Sequence, residues 1–210
     1  CEILQQIPPK LHTPESGFQL FSYVLATLPS PITSKADFST LKKAEQLLIG
    51  LKDPTQTWWK LAKAIRLLTE SRNNDLSAEE SAELIVEAGQ LSGEISAARP
   101  RWGLGLSLAG QVSAARGEDM AAIQSLQAGI SNGDVRLSSS YLLTQLLLKM
   151  NRVAEAESEY SRFERLRQAN SNIAAFGVSI AERKGDYAQS LQLARQTAES
   201  NNDDEIAWLL

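Results

Sequence analysis

Apolar residues recur at helical spacing along much of the chain, and the segment DPTQTWWKLAKAIRLLTES shows the pattern well. Its residues Trp58, Leu61 and Ile65 recur every three or four positions, which places them on one face of an α-helix. We expect Asp53 to cap this helix and Pro54 to occupy its first position, where proline is tolerated. The pattern predicts an amphipathic helix with Trp58 on its buried face.

The segments around this helix predict further helices of similar length. LSAEESAELIVEAGQLSGEISAA opens with Ser77 and Glu80 in the spacing of a capping box and is closed by Pro100. An earlier pair, SGFQLFSYVLATL and DFSTLKKAEQLLIGL, is joined by the loop PSPITSKA. Residues 1–14 are predicted to be a lead-in or linker, and residues 15–99 longer, divergent helical hairpins. The alternative for the first pair is a separate small helical cap.

In the second half of the chain, residues of the same kind recur every 34 positions. Gly117, Asn151 and Gly185 are spaced in this way, and glycine and asparagine most readily adopt the left-handed conformation that ends a helix. Residues of small or modest size stand at two further places in the same period. One place is five positions after the residue that ends the helix, and the other is seven positions before it. These two sets are Ala122, Ala156 and Ser190, and Gly110, Thr144 and Val178. Small side chains there would let two helices cross closely.

This pattern resembles the tetratricopeptide repeat (TPR), a 34-residue helix–turn–helix with glycine at its turn. KGDYAQSL matches the turn of that family, and RGEDMAAI and MNRVAEAE are similar to it. The family's first-helix tryptophan occurs only as Trp208, and the proline that ends each repeat is missing. The resemblance covers residues 103–210 and implies an all-α fold, a right-handed α-solenoid of antiparallel helical hairpins. Residues 100–210 would then form three tandem TPR-like repeats plus the start of a further helix.

Within such a stack, large apolar residues fill the space between neighbouring hairpins, because no hairpin can bury both of its faces alone. We expect this role for Leu126, Leu143, Tyr160 and Phe163. Tyr187, in the GDY turn, is also expected to pack between hairpins.

Composition excludes several classes of function. With 21 Lys and Arg against 25 Asp and Glu, a net charge of −4 and a pI of about 5.2, the chain has no basic stripe for nucleic acid. Its longest apolar runs, such as YLLTQLLL, are too short to cross a bilayer. The single cysteine, Cys1, excludes a disulfide framework and a cysteine-cluster zinc site.

The ends of the sequence suggest a segment of a larger protein. The chain begins at Cys1 and ends within the apolar run IAWLL. Cys1 could carry a lipid, but a domain boundary at this residue is the preferred interpretation. The compartment stays undetermined, with the cytoplasm slightly preferred.

Candidate catalytic groups have structural explanations. His12 lies in the lead-in, away from any partner for a triad or a metal site. Gly103, Gly105 and Gly110 follow a helix rather than the strand that a dinucleotide loop requires, and close helix packing explains them. The acidic pairs Glu79/Glu80 and Asp203/Asp204 stand at helix starts, where acids interact favourably with the helix dipole. We therefore expect no enzyme activity, cofactor or metal.

The resemblance also implies a partner-binding face, because TPR proteins bind partners in a concave groove lined by the first helix of each hairpin. When the groove positions of the family are transferred to this sequence, they predict a set of partner-binding residues. They are Trp59, Lys63, Arg66, Gln111, Tyr141, Gln145, Lys149, Asn172, Ser179 and Arg183. Trp59 has an alternative: it is turned about 100° from Trp58 and could instead pack against the preceding hairpin.

Two further inferences concern the partner. Lys149 and Arg183, on successive first helices, could meet an acidic peptide. Family members that clamp a carboxy-terminal carboxylate use Lys, Asn and Arg at particular groove positions. Here the residues at the corresponding positions are mostly Ser107, Gln111, Leu142 and Asn172, so the clamp is incomplete. Recognition of chaperone tails is therefore not predicted.

The predicted function is a protein–protein interaction scaffold that binds a peptide or protein partner in the groove. One alternative is a ligand-sensing or regulatory domain of a multidomain enzyme or transcription regulator. The other is a self-assembly module that associates through the ends of the solenoid.

Overall fold

The architecture is that of a computed structural model, which describes residues 13–28, 32, 34–164 and 171–200. These residues form ten α-helices, and none of them lies in a β-strand. The helices are α1 (Pro14–Thr27), α2 (Lys35–Ile49), α3 (Thr57–Glu70), α4 (Ala78–Ala98), α5 (Gly103–Ala115), α6 (Asp119–Ser131), α7 (Leu137–Lys149), α8 (Val153–Glu164), α9 (Ser171–Arg183) and α10 (Tyr187–Ser200). The prediction of an all-helical chain is confirmed for the described ranges.

The chain divides into two compact units between Gly133 and Asp134. Unit 1 contains the hairpins α1/α2, α3/α4 and α5/α6, and unit 2 contains α7/α8 and α9/α10. The predicted change near residue 100, from longer hairpins to 34-residue units, falls inside unit 1 between α4 and α5. That domain division stays a prediction.

The turns at Gly117, Asn151 and Gly185 have the same geometry. Their φ angles are +76°, +55° and +75°, in the left-handed region. Each turn also closes with a hydrogen bond from the next backbone N–H to the carbonyl five residues earlier. These bonds are Glu118 N to Ser113 O (2.9 Å), Arg152 N to Leu147 O (2.8 Å) and Asp186 N to Ala181 O (2.9 Å). This is the Schellman helix ending, so the predicted helix stops are confirmed.

The small residues of the 34-residue period are buried. Ala122 and Ala156 are fully buried, Ser190 is 7% exposed, and the earlier set of Gly110, Thr144 and Val178 is buried as well. A Cβ added at Gly110 would lie 3.0 Å from the carbonyl oxygen of Ala122. This contact confirms, for the hairpin α5/α6, that the helices cross where the side chains are smallest.

Glycine brings α5 and α6 together at a second point. A Cβ on Gly129 would lie 2.8 Å from the backbone nitrogen of Ser107 and 2.9 Å from the carbonyl oxygen of Gly103. At Gly105, an added Cβ would lie 2.8 Å from Cγ2 of Ile95 on α4. Close helix packing therefore explains the glycines of RWGLGLSLAG, as predicted.

Two helix starts contain capping boxes. Ser77 and Glu80 form the predicted one at α4, and two hydrogen bonds from Ser77 lower the pKa of the Glu80 carboxyl. α4 ends at Ala98, just before Pro100. Thr13 and Ser16 form a second box at α1, whose first residue is Pro14. The last residue of the predicted lead-in, Pro14, is thus the first residue of α1. Residues 1–12, including Cys1 and His12, lie outside the described residues.

The predicted start of α3 is wrong. The helix begins at Thr57, and Pro54 lies in a turn before it. The N-cap residue is Gln56, which has a left-handed φ of 51°. Asp53 still caps the helix from a distance, because its carboxylate accepts a 3.0 Å hydrogen bond from the Trp58 N–H. Burial raises the pKa of Asp53, but hydrogen bonds from Trp58 and Thr55 outweigh it, so the pKa lies below 3.8.

An aromatic ladder joins the first helices of the three hairpins in unit 1. Phe18 of α1 lies 5.4 Å from Trp58 of α3, and Trp58 lies 4.8 Å from Trp102 at the start of α5, between ring centroids. The guanidinium of Arg99 lies 4.4 Å from the Trp102 ring centroid, within range of a cation–π interaction. Trp58, predicted to be buried, is half-buried within this ladder.

The predicted packing residues have mixed outcomes. Leu126, Leu143 and Tyr160 are buried, at 0%, 2% and 8% exposure, as expected. The side chain of Phe163 lies outside the described residues. Tyr187 is 73% exposed, so its predicted packing role is wrong: α10 packs on α9, and Tyr187 faces away from that contact.

Candidate functional site

The candidate site in unit 2 begins with an exposed stripe on α7. Leu137, Tyr141, Gln145 and Lys149 follow one another at four-residue intervals, and all four are exposed. Leu137 is 42% exposed and Tyr141 37%. The opposite side of α7 is buried through residues that include Leu143, Leu146 and Leu147. α7 thus presents two large apolar side chains at its start and a cation at its end.

A second stripe lies beside it on α9, at positions 34 residues further along the chain. Ala175 and Ser179 are half-buried, and Arg183 is exposed. Contact between the helices is made by Tyr141, whose ring centroid lies 4.7 Å from that of Phe176. Because Ala175 and Ser179 have small side chains, the α9 stripe protrudes less from the surface than the α7 stripe. We call these seven residues of the two stripes the unit-2 face.

Arg183 connects the ends of the two stripes. Its Nη1 donates a 2.8 Å hydrogen bond to the carbonyl oxygen of Leu148, in the last turn of α7, and lies 3.5 Å from Oδ1 of Asn151. Cations are favoured at this end of a helix by the helix dipole. Both acceptors are uncharged, so they orient the guanidinium without neutralising it. Lys149 and Arg183 therefore make one end of the unit-2 face cationic.

The predicted residues of unit 1 have different surroundings. Lys63 forms a 2.6 Å ion pair with Glu87 of α4. Arg66 is 9% exposed, and its guanidinium lies 2.6 Å from Glu45 of α2 and 2.7 Å from Glu70. Both cations thus hold neighbouring helices together, and Arg66 could contact a partner only by leaving a buried ion pair.

The other two predicted residues of unit 1 are half-buried. Gln111 lies on α5, and Trp59 packs partly against the core of unit 1. The Nζ of Lys60 lies 5.8 Å from the Trp59 ring centroid. Both alternatives for Trp59, packing and partner contact, remain compatible with this position.

The structure therefore brings together Tyr141, Gln145, Lys149, Ser179 and Arg183, all within unit 2. Asn172 belongs to α9, but its side chain is outside the described residues. Sequence reasoning missed Leu137 and Phe176. The position of Leu137, four residues before Tyr141, is a signal that could have found it, whereas the contact of Phe176 with Tyr141 depends on how the helices pack.

The shifted pKa values belong to structural contacts. The Arg152 and Arg162 pKa values are raised by their hydrogen bonds to Glu155 and Glu159, respectively. Within the described ranges, no cluster of His, Cys, Asp and Glu side chains could hold a metal ion. None of the described helices has the length and apolar content needed to cross a membrane. The acidic pair Asp203/Asp204 and Trp208 lie outside these ranges.

Comparisons with known proteins support the fold. No protein-family model matches the chain, and a search of curated proteins finds no match either. Among solved structures, the chain is similar to one described as "Functional Characterization of Pseudomonas Aeruginosa pilF", with a TM-score of 0.50 and 16% identity. The similarity covers 91% of this chain and 93% of that chain. Since pilF contains tetratricopeptide repeats, the all-helical chain fits a TPR-like fold.

Proposed function

We propose that this chain is a protein-interaction scaffold, a right-handed TPR-like solenoid. The similarity to pilF supports a helical-repeat scaffold. The finer proposal is that a peptide or protein partner lies across first helices, on the groove side. The observation that carries it is the unit-2 face, where two neighbouring first helices expose parallel stripes.

The chemistry of the unit-2 face suggests the chemistry of its partner. Leu137 and Tyr141 are large, apolar and exposed at one end, and Lys149 and Arg183 are cationic at the other. A complementary segment carries an acidic residue that meets the cations and an apolar residue that covers Tyr141. Tyrosine and arginine are common among the residues that dominate binding energy at interfaces.

Binding at the unit-2 face requires little loss of conformational entropy from the scaffold. Tyr141 is supported by Phe176, and Arg183 is oriented by Leu148. Side chains already held in place lose less conformational entropy when a partner binds. The proposal is accordingly one of recognition by shape and charge, with no catalytic step, cofactor or metal.

The test measures binding of fluorescent peptides from a library that varies acidic and apolar positions. We expect preferred peptides to combine both features. The double variant Lys149→Glu/Arg183→Glu should reduce their affinity by about tenfold or more, and Tyr141→Ala should reduce it separately. Gln145→Glu, at an exposed position between the two ends, places an acid at the centre of the face and should also weaken binding.

A matched control separates local from general charge effects. Lys42→Glu/Lys43→Glu changes two exposed cations of α2 and alters the net charge by the same amount, so it should leave affinity unchanged. Melting curves of all variants show whether the loss of the Arg183 hydrogen bonds unfolds unit 2. If folded variants of the unit-2 face bind as well as the wild type, the proposed site is wrong.

A further inference from the structure

The connection between α6 and α7 contains the pair Asn132–Gly133, which plays no part in the candidate site. Both residues are exposed, and they come directly before Asp134, the first residue of unit 2. Gly133 has a φ of +93°, and a Cβ added to it would meet no atom within 4 Å. An asparagine side chain that precedes glycine is open to attack by the glycine nitrogen, because glycine has no side chain to block the approach.

The reaction available to this pair is the loss of ammonia from the asparagine side chain. The Gly133 backbone nitrogen gives its proton to solvent and forms a bond to Cγ of Asn132, and the bond from Cγ to Nδ2 breaks. Nδ2 takes a proton from solvent and leaves as ammonia, so that a five-membered cyclic imide remains. Water then opens the imide at either carbonyl, which gives aspartate or isoaspartate. These steps require no oxidant, metal or enzyme.

Two hydrogen bonds hold the reacting nitrogens in the last turn of α6. Nδ2 of Asn132 donates a 2.8 Å bond to the carbonyl oxygen of Ala128, and the Gly133 N–H donates a 3.1 Å bond to the carbonyl oxygen of Ile130. Helix ends open locally at a much lower free-energy cost than the core of a domain. Opening of this one exposed turn therefore frees both nitrogens for the reaction.

The other asparagines with described side chains lack this combination of features. Asn73, Asn74 and Asn151 are each followed by a residue that has a side chain. Asn73 is also half-buried, and the N–H that follows Asn151, that of Arg152, donates a 2.8 Å hydrogen bond to the carbonyl of Leu147. Among these residues, the chemistry therefore favours Asn132.

We propose that Asn132 is a site of spontaneous deamidation and that its conversion weakens the end of α6. The product cannot donate a hydrogen bond to the Ala128 carbonyl, and it places a carboxylate at a helix C-terminus, where negative charge is unfavourable. The inference concerns a segment outside the unit-2 face, so it does not depend on the peptide-binding proposal.

The position of Asn132 also puts the modification beside the start of unit 2. Isoaspartate adds one atom to the backbone just before Asp134, whose side chain is buried. The Asp134 carboxylate accepts hydrogen bonds of 2.9 Å from Nε of Arg136 and 2.6 Å from Oγ of Ser139, at the start of α7. One converted residue thus changes both the charge and the length of the chain next to this buried network.

Peptide mapping of the full chain tests the site. Trypsin cleavage after Arg116 and Arg136 releases residues 117–136, in which Asn132 is the only asparagine. After incubation at mildly alkaline pH, we expect aspartate and isoaspartate forms of this peptide, separated by chromatography and identified by the mass gained when OH replaces NH₂. Residues 73–101 form the internal control, because this peptide contains Asn73 and Asn74. The control peptide should convert several times more slowly.

Three variants test the chemistry and its consequence. Asn132→Gln should abolish the conversion, since its amide would have to close a larger ring. Gly133→Ala should slow it several-fold, although the left-handed φ strains the turn and makes it easier to open. Asn132→Asp reproduces the new charge and should lower the midpoint of urea denaturation. Its matched control, Asn74→Asp in the exposed turn before α4, should leave the midpoint nearly unchanged.

Several results would overturn the proposal. If Asn132 stays intact in the full chain under conditions in which isolated peptide 117–136 converts, the folded chain blocks the reaction. Formation of aspartate without isoaspartate, or equal rates in wild type and Gly133→Ala, would contradict the cyclic imide. If Asn132→Asp is as stable as the wild type, the proposed effect on α6 is wrong.

Discussion

Gly117, Asn151 and Gly185 show how single residues set the period of this chain. Each ends a helix in the left-handed conformation, which costs an ordinary L-residue about 1–2 kcal/mol. Glycine avoids this cost, and asparagine reduces it. Helix length in the second half of the chain is thus controlled by residues that touch little else: an added Cβ at Gly117 or Gly185 would meet no atom within 4 Å.

The first prediction uses this open space. Gly185→Ala should lower the free energy of unfolding by about 1 kcal/mol, and Gly185→Val by more, because φ is +75°. Gly93→Ala is the matched control: its Cβ also meets nothing within 4 Å, but Gly93 has helical geometry within α4. It should raise stability by up to about 1 kcal/mol. Chemical denaturation measures both, and equal effects would contradict a conformational origin.

At the scale of elements, buried charge joins helices in unit 1. Arg66 of α3 links Glu45 of α2 and Glu70, and the Arg66 and Glu45 side chains are only 10% and 7% exposed. Lys63, on the same helix, pairs with Glu87 of α4, with 28% and 44% exposure. The two pairs have similar distances, and their different burial predicts different energetic consequences.

The second prediction compares these ion pairs. Arg66→Met leaves Glu45 as an unpaired buried carboxylate, which should cost about 3–5 kcal/mol of stability. Lys63→Met removes a partly exposed pair and should cost less than about 1 kcal/mol. Urea denaturation gives both values. The double variant Glu45→Met/Arg66→Met should lose less than Arg66→Met alone, since no buried charge remains, and a larger loss would argue against this explanation.

At the scale of the whole molecule, the two units differ in how many large side chains they bury completely. The largest fully buried side chains among the described residues lie mostly in unit 1, including Phe21, Leu61 and Leu108, whereas unit 2 contributes Leu147 and Thr144. In helical-repeat proteins, stability is approximately a sum over units and their neighbouring contacts. Unit 2 is accordingly expected to unfold first.

The third prediction follows from the positions of the tryptophans. Trp58, Trp59 and Trp102 all belong to unit 1, so in a Trp208→Phe background fluorescence reports unit 1 alone. Circular dichroism at helical wavelengths follows both units. During urea denaturation, we expect helix loss to begin before the fluorescence change. Coincident transitions would instead indicate a single cooperative unit.

Local chemistry explains which features could be predicted. Some features depend only on neighbours within a few positions or on a fixed period. They are the helix stops at Gly117, Asn151 and Gly185, the capping box of Ser77, and the small buried residues at each helix crossing. The start of α3 could not be found in this way. Asp53 and Pro54 favour an immediate helix, but a left-handed Gln56 delays it while the Asp53 carboxylate still reaches the Trp58 N–H.

The candidate site was predictable in part for a similar reason. The resemblance to the tetratricopeptide repeat selects Tyr141, Gln145 and Lys149, and helical spacing agrees with it, because residues four apart share a face. Spacing cannot distinguish a cation that faces solvent from one that faces a neighbouring helix, so Arg66 and Lys149 look equivalent in the sequence. Only packing shows that Arg66 is enclosed by Glu45 and Glu70.

The sequence by itself determined the helices, apart from the start of α3, and also their turns and the 34-residue period, since each depends on local backbone preference and on hydrophobic period. The tertiary structure decided which faces of those helices are covered. Tyr187, which resembles a packing residue in its turn motif, is exposed because packing leaves that side of α10 open. Burial depends on residues distant in the sequence, and therefore a surface available to a partner is visible only after the helices have packed.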